Sequence, residues 1–120
     1  MPDFVNPFSG NVPDRKLTHE ELIRALRLNI SAEYEAIFLY MAHADATDHP
    51  LVKKVLIDVA NEEREHVGEF QRLIEILTGD EDEYVSTGRR EVEEMAAEVG
   101  AKADEAGSGD DEESTIGSLK

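Results

Sequence analysis

Cysteine is absent from the 120 residues of the sequence. This excludes disulfide frameworks, thiolate zinc sites, iron–sulfur centres and cysteine nucleophiles as the basis of the chain's chemistry. Long apolar runs are also missing: no stretch approaches the about eighteen residues that a membrane-spanning helix needs, and the opening "MPDFVNPFSG" lacks the basic and apolar regions of a signal peptide. We therefore expect a cytoplasmic protein that does not span a membrane.

Basic residues are scarce. The chain has 12 Lys and Arg against 28 Asp and Glu, a net charge of −16, which argues against nucleic acids or anionic membranes as partners. The imbalance is uneven, because residues 79–120 hold 14 acids and 4 bases whereas residues 1–78 hold 14 acids and 8 bases. The C-terminal third is therefore expected to behave differently from the rest.

The order of helix signals predicts an all-α chain made of an antiparallel two-helix hairpin and a short third helix. Residues 1–16 contain three of the four prolines and are expected to form an extended N-terminal arm. Thr18 and Glu21 have the spacing of a capping box, which marks a helix start. The break "TDHP", with Asp48 as N-cap, separates this helix from a second one that runs from about Pro50 to Leu77 and ends before Gly79.

The remaining segments divide a helical domain from a tail. "GDEDEY" is expected to be a loop, and "RREVEEMAAEVGAKA" a weaker helix, so that the helical domain spans residues 17–100. Residues 101–114 are rich in Gly, Ser and acids and poor in large apolar side chains, which predicts a flexible acidic linker. The last six residues, "TIGSLK" at 115–120, become apolar again, which is typical of a docking peptide on a tether.

Carboxylates and an imidazole interrupt the apolar faces of both predicted hairpin helices. The seam of the second helix, with apolar residues at alternating steps of three and four, passes through Glu63 and His66, and that of the first passes through Glu33. The seam residues are Leu22, Leu26, Ile30, Ile37 and Met41 in the first helix, and Val52, Val55, Leu56, Val59, Phe70, Leu73 and Leu77 in the second. Antiparallel packing brings the three polar residues to about the same height.

Burying these carboxylates needs a counter-charge, and no Lys or Arg shares the seams at that level. A divalent cation supplies the charge and also binds the imidazole. One imidazole with carboxylates and no sulfur favours iron or manganese. Di-iron bundles use two Glu-x-x-His pairs and two single glutamates, so this chain carries half of a site. Two copies related by a two-fold axis would form a four-helix bundle and complete the set with Glu33, Glu63 and His66 twice.

Other polar residues are given lesser roles. Tyr40, about two turns from Glu33, is a neighbour of the centre whose expected role is half-buried packing. Glu35 and Glu62 lie off the seams and are weaker candidates for an outer metal site, since solvated helix faces usually carry such acids. The remaining histidines are read as structural or solvated, namely His19, His43 and His49.

The stretches "LRLNISAEYEAIFLYMAHA" and "VLIDVANEEREHVGEFQRLI" resemble the encapsulated ferritins, the ferritin-like cargo proteins of encapsulin nanocompartments. The resemblance covers about residues 17–80 and rests on Glu-x-Glu in the first helix and Glu-Glu-x-x-His in the second. Independently, the ending resembles the peptide by which cargo binds the inner wall of an encapsulin shell, and it points to Ile116, Gly117, Ser118 and Leu119 as targeting residues.

The resemblance implies a ferroxidase that oxidises Fe²⁺ with dioxygen at a di-iron centre shared between two chains and delivers iron for storage inside the shell. It implies dimers assembled into a ring, commonly a decamer, with ligands matching Glu33, Glu63 and His66. Tyr40 matches a tyrosine near that centre, and Glu35 matches part of an outer metal-entry site. Ala32 stands where some members have a further glutamate, which puts the outer site in doubt.

Three alternatives stay open. A rubrerythrin-like peroxidase usually brings a cysteine-ligated iron domain, which the sequence does not contain. A non-catalytic helical adaptor would use the seam carboxylates only to fix the register of its helices. A ligand-binding relative, for example one that holds flavin between dimers, needs no recognisable motif.

Overall fold

The computed structural model describes residues 12–100. These residues form three helices and no strand: α1 (His19–Asp45), α2 (Pro50–Thr78) and α3 (Glu81–Glu98). The chain divides into two compact units at Gly79, the first holding α1 and α2 and the second holding α3. The prediction of an all-α chain with a helical hairpin and a third helix is confirmed.

The start of α1 is fixed by side chains that satisfy its free backbone groups. Thr18 accepts a hydrogen bond from the backbone N–H of Glu21 at 3.1 Å, and the Thr18 N–H donates to Glu21 Oε1 at 3.0 Å, as the capping-box spacing predicted. Both terminal nitrogens of Arg15 donate to the two Glu21 oxygens at 2.7 Å. This bidentate pair lowers the pKa of Glu21 to about 2.

The turn between α1 and α2 differs from the prediction at its cap. His49, not Asp48, is the N-cap of α2, and its Nδ1 accepts from the Val52 N–H at 3.4 Å. The reason is Pro50, whose fixed φ suits the first helical position and leaves the residue before it as the cap. Lys53 Nζ donates to the carbonyl of Ala44 at 2.7 Å and joins the last turn of α1 to the first turn of α2.

The open end of the hairpin is joined by a second polar contact. The His19 imidazole N–H donates to the Leu77 carbonyl at 3.0 Å, between the first turn of α1 and the last turn of α2. Gly79 ends α2 in the left-handed conformation, with φ 81°, as its position after the last apolar residue predicted.

The buried core lies near this open end. Ile23, Leu26 and Ile74 are buried, and three partly buried side chains pack against them, namely Ile30, Phe70 and Leu77. Nearer the turn, the fully enclosed residues among those at 12–100 are Ala44 and Ala60. A core of this size is small for a hairpin of two long helices, which indicates that much apolar surface is left for other contacts.

Part of the predicted seam is wrong. Val52, Val55 and Leu73 are 44%, 50% and 46% exposed, and Leu22 is exposed while Ile23 is buried. The reason is that α2 carries two adjacent apolar stripes. The inward stripe is Leu56, Ala60, Glu63, Val67, Phe70, Ile74 and Leu77. The outer stripe, one helical position away, is Val52, Val55, Val59, Glu62, His66, Glu69, Leu73 and Ile76.

The third helix is longer than predicted. It starts at Glu81 and continues through Gly88, so the expected loop at residues 79–84 is wrong. Three acids in its first turn, Glu81, Asp82 and Glu83, favour the helix because they face the positive end of its dipole.

Three predicted segments fall partly or wholly beyond the described part of the chain. Most of the N-terminal arm, the acidic linker 101–114 and the peptide 115–120 lie outside residues 12–100. Within that range, no helix is both long enough and apolar enough to cross a bilayer.

Candidate metal centre

The candidate centre lies midway along the hairpin, where both inward faces become polar. Glu33 lies three residues after Ile30 on the inward face of α1, and Glu63 lies three residues after Ala60 on the inward stripe of α2. One ligand atom each of Glu33, Glu63 and His66 lies within 4.8 Å of the other two. The structure therefore brings together the three residues selected from the sequence, although their role as ligands stays a prediction.

The imidazole of His66 lies on the solvent-exposed side of the cluster. His66 Nδ1 lies 2.9 Å from Glu63 Oε1 and 3.5 Å from Glu33 Oε2. The Glu33 and Glu63 side chains are 18% and 16% exposed, whereas that of His66 is 47% exposed. His66 belongs to the outer stripe, so the cluster lies at an edge of the hairpin.

The pKa values show how the metal-free cluster balances its charges. A hydrogen bond with Glu63, assisted by partial burial, raises the pKa of Glu33, and the same hydrogen bond together with that from His66 lowers the pKa of Glu63. The hydrogen bond to Glu63 raises the pKa of His66 against the effect of desolvation. These interactions therefore favour the charged forms of Glu63 and His66 and the neutral form of Glu33.

A divalent cation would supply the positive charge that the two carboxylates need. The groups that shift the three pKa values are the three residues themselves and Glu69, with no Lys or Arg among them. Arg64, next to Glu63 in sequence, donates instead to Asn61 Oδ1 at 3.2 Å. Two carboxylates and one imidazole are hard and borderline ligands that fit iron or manganese, and three ligands leave coordination positions open.

The secondary candidates lie apart from the cluster. Tyr40 is half-buried on α1, as expected, while Glu35 and Glu62 are exposed and do not join the three ligand atoms. Sequence reasoning missed Glu69, whose charge raises the pKa of His66. The signal was present, because Glu69 is three residues after His66 and shares its side of the helix.

Comparison with known proteins places the chain in a family. A model of the rubrerythrin family matches residues 24–113. The chain belongs to the rubrerythrin family. The predicted resemblance to ferritin-like cargo proteins is confirmed by the relatives described next.

Over 69 residues the chain is 55% identical to the encapsulin nanocompartment cargo protein EncC of Myxococcus xanthus, covering 58% of this chain and 52% of that protein. Over 91 residues it is 43% identical to a ferritin-like–encapsulin shell fusion protein of Pyrococcus furiosus, covering 76% of this chain and 26% of the relative. The chain therefore spans about half or less of the length of these curated relatives.

A solved structure shares the fold. The crystal structure of the encapsulated ferritin domain from Pyrococcus furiosus superposes with a TM-score of 0.69 at 41% sequence identity. The match covers 78% of this chain and 94% of that domain. The rubrerythrin-family chain thus has a ferritin-like helical fold.

Proposed function

We propose that this chain is a ferroxidase that binds Fe²⁺ as its substrate and oxidises it to Fe³⁺ with dioxygen, at a centre shared between two copies. The observation that carries the proposal is the convergence of Glu33, Glu63 and His66 within 4.8 Å, without a Lys or Arg among the groups that shift their pKa values. Iron here is what the protein acts on, and the chain supplies its coordination.

The outer stripe of α2 supports a shared centre. Val52 and Val55 lie toward the turn and Leu73 and Ile76 toward the open end, all of them exposed, with His66 between them. An apolar stripe interrupted by ligands is what a partner helix would cover. On the same side of the hairpin α1 presents the small residues Ala25, Ala32 and Ala36, which permit close approach.

A two-fold axis through this edge would bring two clusters together and complete a set of four glutamates and two histidines. We assign the bridging role to Glu63, which contacts His66 at 2.9 Å and has a ligand atom within 4.8 Å of one on Glu33, and the terminal roles to Glu33 and His66. Metal binding would compete with protons for these ligands. Each Fe²⁺ then gives one electron to dioxygen, a redox step that belongs to the metal and is made possible by open coordination positions.

Anaerobic titration with Fe²⁺, followed by admission of air, tests the proposal. Wild type should saturate at one iron per chain and give a rapid rise in ferric absorbance, which His66→Ala should lose. His43→Ala is the matched control, since His43 is an exposed histidine of α1 outside the cluster. Oxidation by wild type no faster than in buffer would overturn the proposal. Repeating the oxidation with hydrogen peroxide separates a peroxidase from a ferroxidase.

The relatives' names extend the proposal to a shell. One is called an encapsulin nanocompartment cargo protein, and the other is a fusion of a ferritin-like part with an encapsulin shell. We propose that this chain is also encapsulin cargo, held in the shell interior by residues 116–119. Deletion of Thr115–Lys120 should abolish loading into a co-expressed shell and leave iron oxidation intact. Equal loading of the truncated chain would contradict the targeting role.

One observation favours a structural alternative. The three side chains contact one another without metal, since His66 Nδ1 lies 2.9 Å from Glu63 Oε1 and 3.5 Å from Glu33 Oε2. A non-catalytic adaptor could use this network to fix the helix register. It predicts that Glu33→Ala and His66→Ala leave the assembly intact and remove no activity, and the iron titration decides between the two functions.

A further inference from the structure

The candidate centre uses one of the two ring nitrogens of His66. Nδ1 is turned toward the carboxylates, at 2.9 Å from Glu63 Oε1 and 3.5 Å from Glu33 Oε2. The two nitrogens of an imidazole lie on different sides of the ring, so Nε2 is directed away from these oxygens. With Nδ1 as the metal ligand, Nε2 carries a hydrogen and donates it to an acceptor outside the cluster.

Glu69 is placed to be that acceptor. It lies three residues after His66 on the outer stripe of α2, so the two residues are neighbours on the helix surface. Side chains of an α-helix lean toward its N-terminus, which brings the Glu69 carboxylate back over the turn that holds His66. The same lean carries the imidazole toward Glu63, and that contact is present in the structure.

The electrostatics of the imidazole agree with this placement. The hydrogen bond to Glu63 raises the pKa of His66 most, and the charges of three acids raise it further, namely the two glutamates of the cluster and Glu69. Glu62 and Glu65 are also exposed acids of α2 near His66, yet they are not among the causes of that shift. Proximity to the ring therefore distinguishes Glu69 from its acidic neighbours.

The exposure of His66 shows why an acceptor on the same helix is useful. Its side chain is 47% exposed in the single chain, so water reaches the ring there. The shared centre proposed above would place a partner helix over the outer stripe and remove much of that water. A buried N–H without an acceptor is costly, and a carboxylate of the same helix stays in place when water leaves.

We propose that Glu69 is a positioning residue of the centre, whose carboxylate accepts a hydrogen bond from His66 Nε2–H and thereby directs Nδ1 to the metal ion. The inference rests on the proposed metal-binding function and deepens it. A hydrogen bond to the second nitrogen fixes the tautomer and orientation of a ligating imidazole and makes it a more basic ligand. Glu69 itself touches neither iron nor dioxygen.

Anaerobic binding of Co²⁺ to the full chain tests the inference apart from iron oxidation, because Co²⁺ binds the same kinds of ligand. Glu69→Ala should weaken Co²⁺ binding by about 10–100-fold. Glu69→Gln keeps an acceptor oxygen and should recover much of that loss. Glu65→Ala is the matched control, since it removes the same charge from an exposed position next to His66 and should stay close to wild type. Equal weakening by Glu65→Ala and Glu69→Ala would overturn the proposal.

A double-variant cycle tests whether Glu69 acts through the imidazole. In a His66→Ala background, Glu69→Ala should weaken Co²⁺ binding no further, because the group that Glu69 orients is gone. A further loss as large as in the wild-type background would mean that Glu69 acts on the ion directly or through its charge alone, which contradicts the proposal. Loss of binding in Glu62→Ala with none in Glu69→Ala would make Glu62 the acceptor and overturn it as well.

The visible spectrum of bound Co²⁺ and the stability of the metal-free chain separate a positioning role from a structural one. Glu69→Ala should change the spectrum, because the imidazole is held differently, and Glu65→Ala should not. Glu69 is exposed, so the metal-free Tm of Glu69→Ala should stay close to that of wild type. A large fall in Tm in both Glu69→Ala and Glu69→Gln would show that Glu69 supports the helix and would overturn the proposal.

Failure of this inference and failure of the proposed function give different results. If wild type binds Co²⁺ and oxidises Fe²⁺ while the Glu69 variants match it, the positioning role is wrong and the ferroxidase function stands. If Glu69→Ala weakens Co²⁺ binding as expected but wild type oxidises Fe²⁺ no faster than buffer, the ferroxidase function is wrong and the positioning role stands. A wild type that binds no Co²⁺ would overturn both.

Discussion

Two layers of the same helical hairpin share one packing geometry but hold different kinds of side chain, one apolar and one polar. At the open end, the seam between α1 and α2 buries Ile23, Leu26 and Ile74. Three turns further along, the same seam holds Glu33 and Glu63, with His66 at its edge. The apolar layer stabilises the hairpin and fixes its register, and that register determines which carboxylates meet. The polar layer therefore depends on packing to which it contributes little.

The largest expected effect comes from breaking the apolar layer. Ile74 is fully buried, so Ile74→Ala should lower the free energy of unfolding by about 2–5 kcal/mol, and Ile74→Val by about 0.5–1.5 kcal/mol. Chemical denaturation without iron, at low protein concentration, measures both. Ile76→Ala removes the same atoms from a side chain that is 59% exposed and should cost less than about 1 kcal/mol. Equal losses at the two positions would mean that the hairpin core has been misidentified.

Replacing a carboxylate of the polar layer by an apolar side chain tests how the two layers differ in stability. Glu33→Leu removes one of two facing carboxylates from a partly buried seam, so the metal-free Tm should rise by a few degrees. Iron binding and oxidation should be lost in the same variant. Glu35→Leu is the control, because Glu35 is exposed on the same helix and should give no comparable gain. A Tm lowered by Glu33→Leu would show that the carboxylate network stabilises the hairpin.

The pH dependence of the stability of the metal-free chain should report the contribution of the polar layer. Because the pKa values of Glu33 and His66 are raised, the stability they add is present at low pH and lost as pH rises through their folded-state values. The lowered pKa of Glu63 has the opposite effect. The stability that Glu63 adds is present at neutral pH and is lost as pH falls below the usual pKa of a glutamate. The contributions of Glu63 and His66 should therefore both be present between about pH 4.3 and 6.5. That of Glu33 should decline as pH rises above about 4.3, and that of His66 as pH rises above about 6.5.

Thermal unfolding in a chelator, from about pH 5 to 8, measures this decline as the difference between wild type and His66→Gln. His43→Gln should follow the wild-type curve. Iron affinity should change in the opposite direction and increase over the same range, because ligands must lose protons to bind metal. A difference between wild type and His66→Gln that does not vary with pH would contradict the proposed charge balance.

The smallest effect is expected at the edge of the apolar layer, where the helix cap lies. Thr18→Ala removes the hydrogen bond to the Glu21 N–H and should cost about 1 kcal/mol of unfolding free energy without changing iron oxidation. Thr18→Ser keeps the hydroxyl and should remain close to wild type. Loss of oxidation in Thr18→Ala would mean that the end of α1 and the centre are coupled.

The helices and the centre were predictable from sequence to different degrees and for different reasons. Glu33, Glu63 and His66 were found because charged residues among regularly spaced apolar ones are conspicuous. The buried side of α2 was placed one position off, at Val52, Val55 and Leu73, because two adjacent apolar stripes give the same periodicity. Periodicity alone does not say which stripe packs inside the hairpin and which stays exposed.

The errors in the connections have a local cause. Asp48 is a strong capping residue by type, but Pro50 fixes the first helical position and moves the cap to His49. The acids after Gly79 suggested a loop by composition, yet they occupy the first turn of α3, where the helix dipole favours them. In both places the position of a residue relative to the helix start determined its structure more than its residue type did.

The brevity of the connection between α1 and α2 bears on the order of events during folding. Only residues 46–49 separate the helices, so little chain entropy is lost in bringing them together, and the hairpin belongs to the class of topologies that form in microseconds to milliseconds. Glu33 and Glu63 would thus already face each other before two chains meet. The proposed assembly would then join two preorganised halves, a bimolecular step whose rate depends on the concentration of chains and no longer on the search of each chain for its fold.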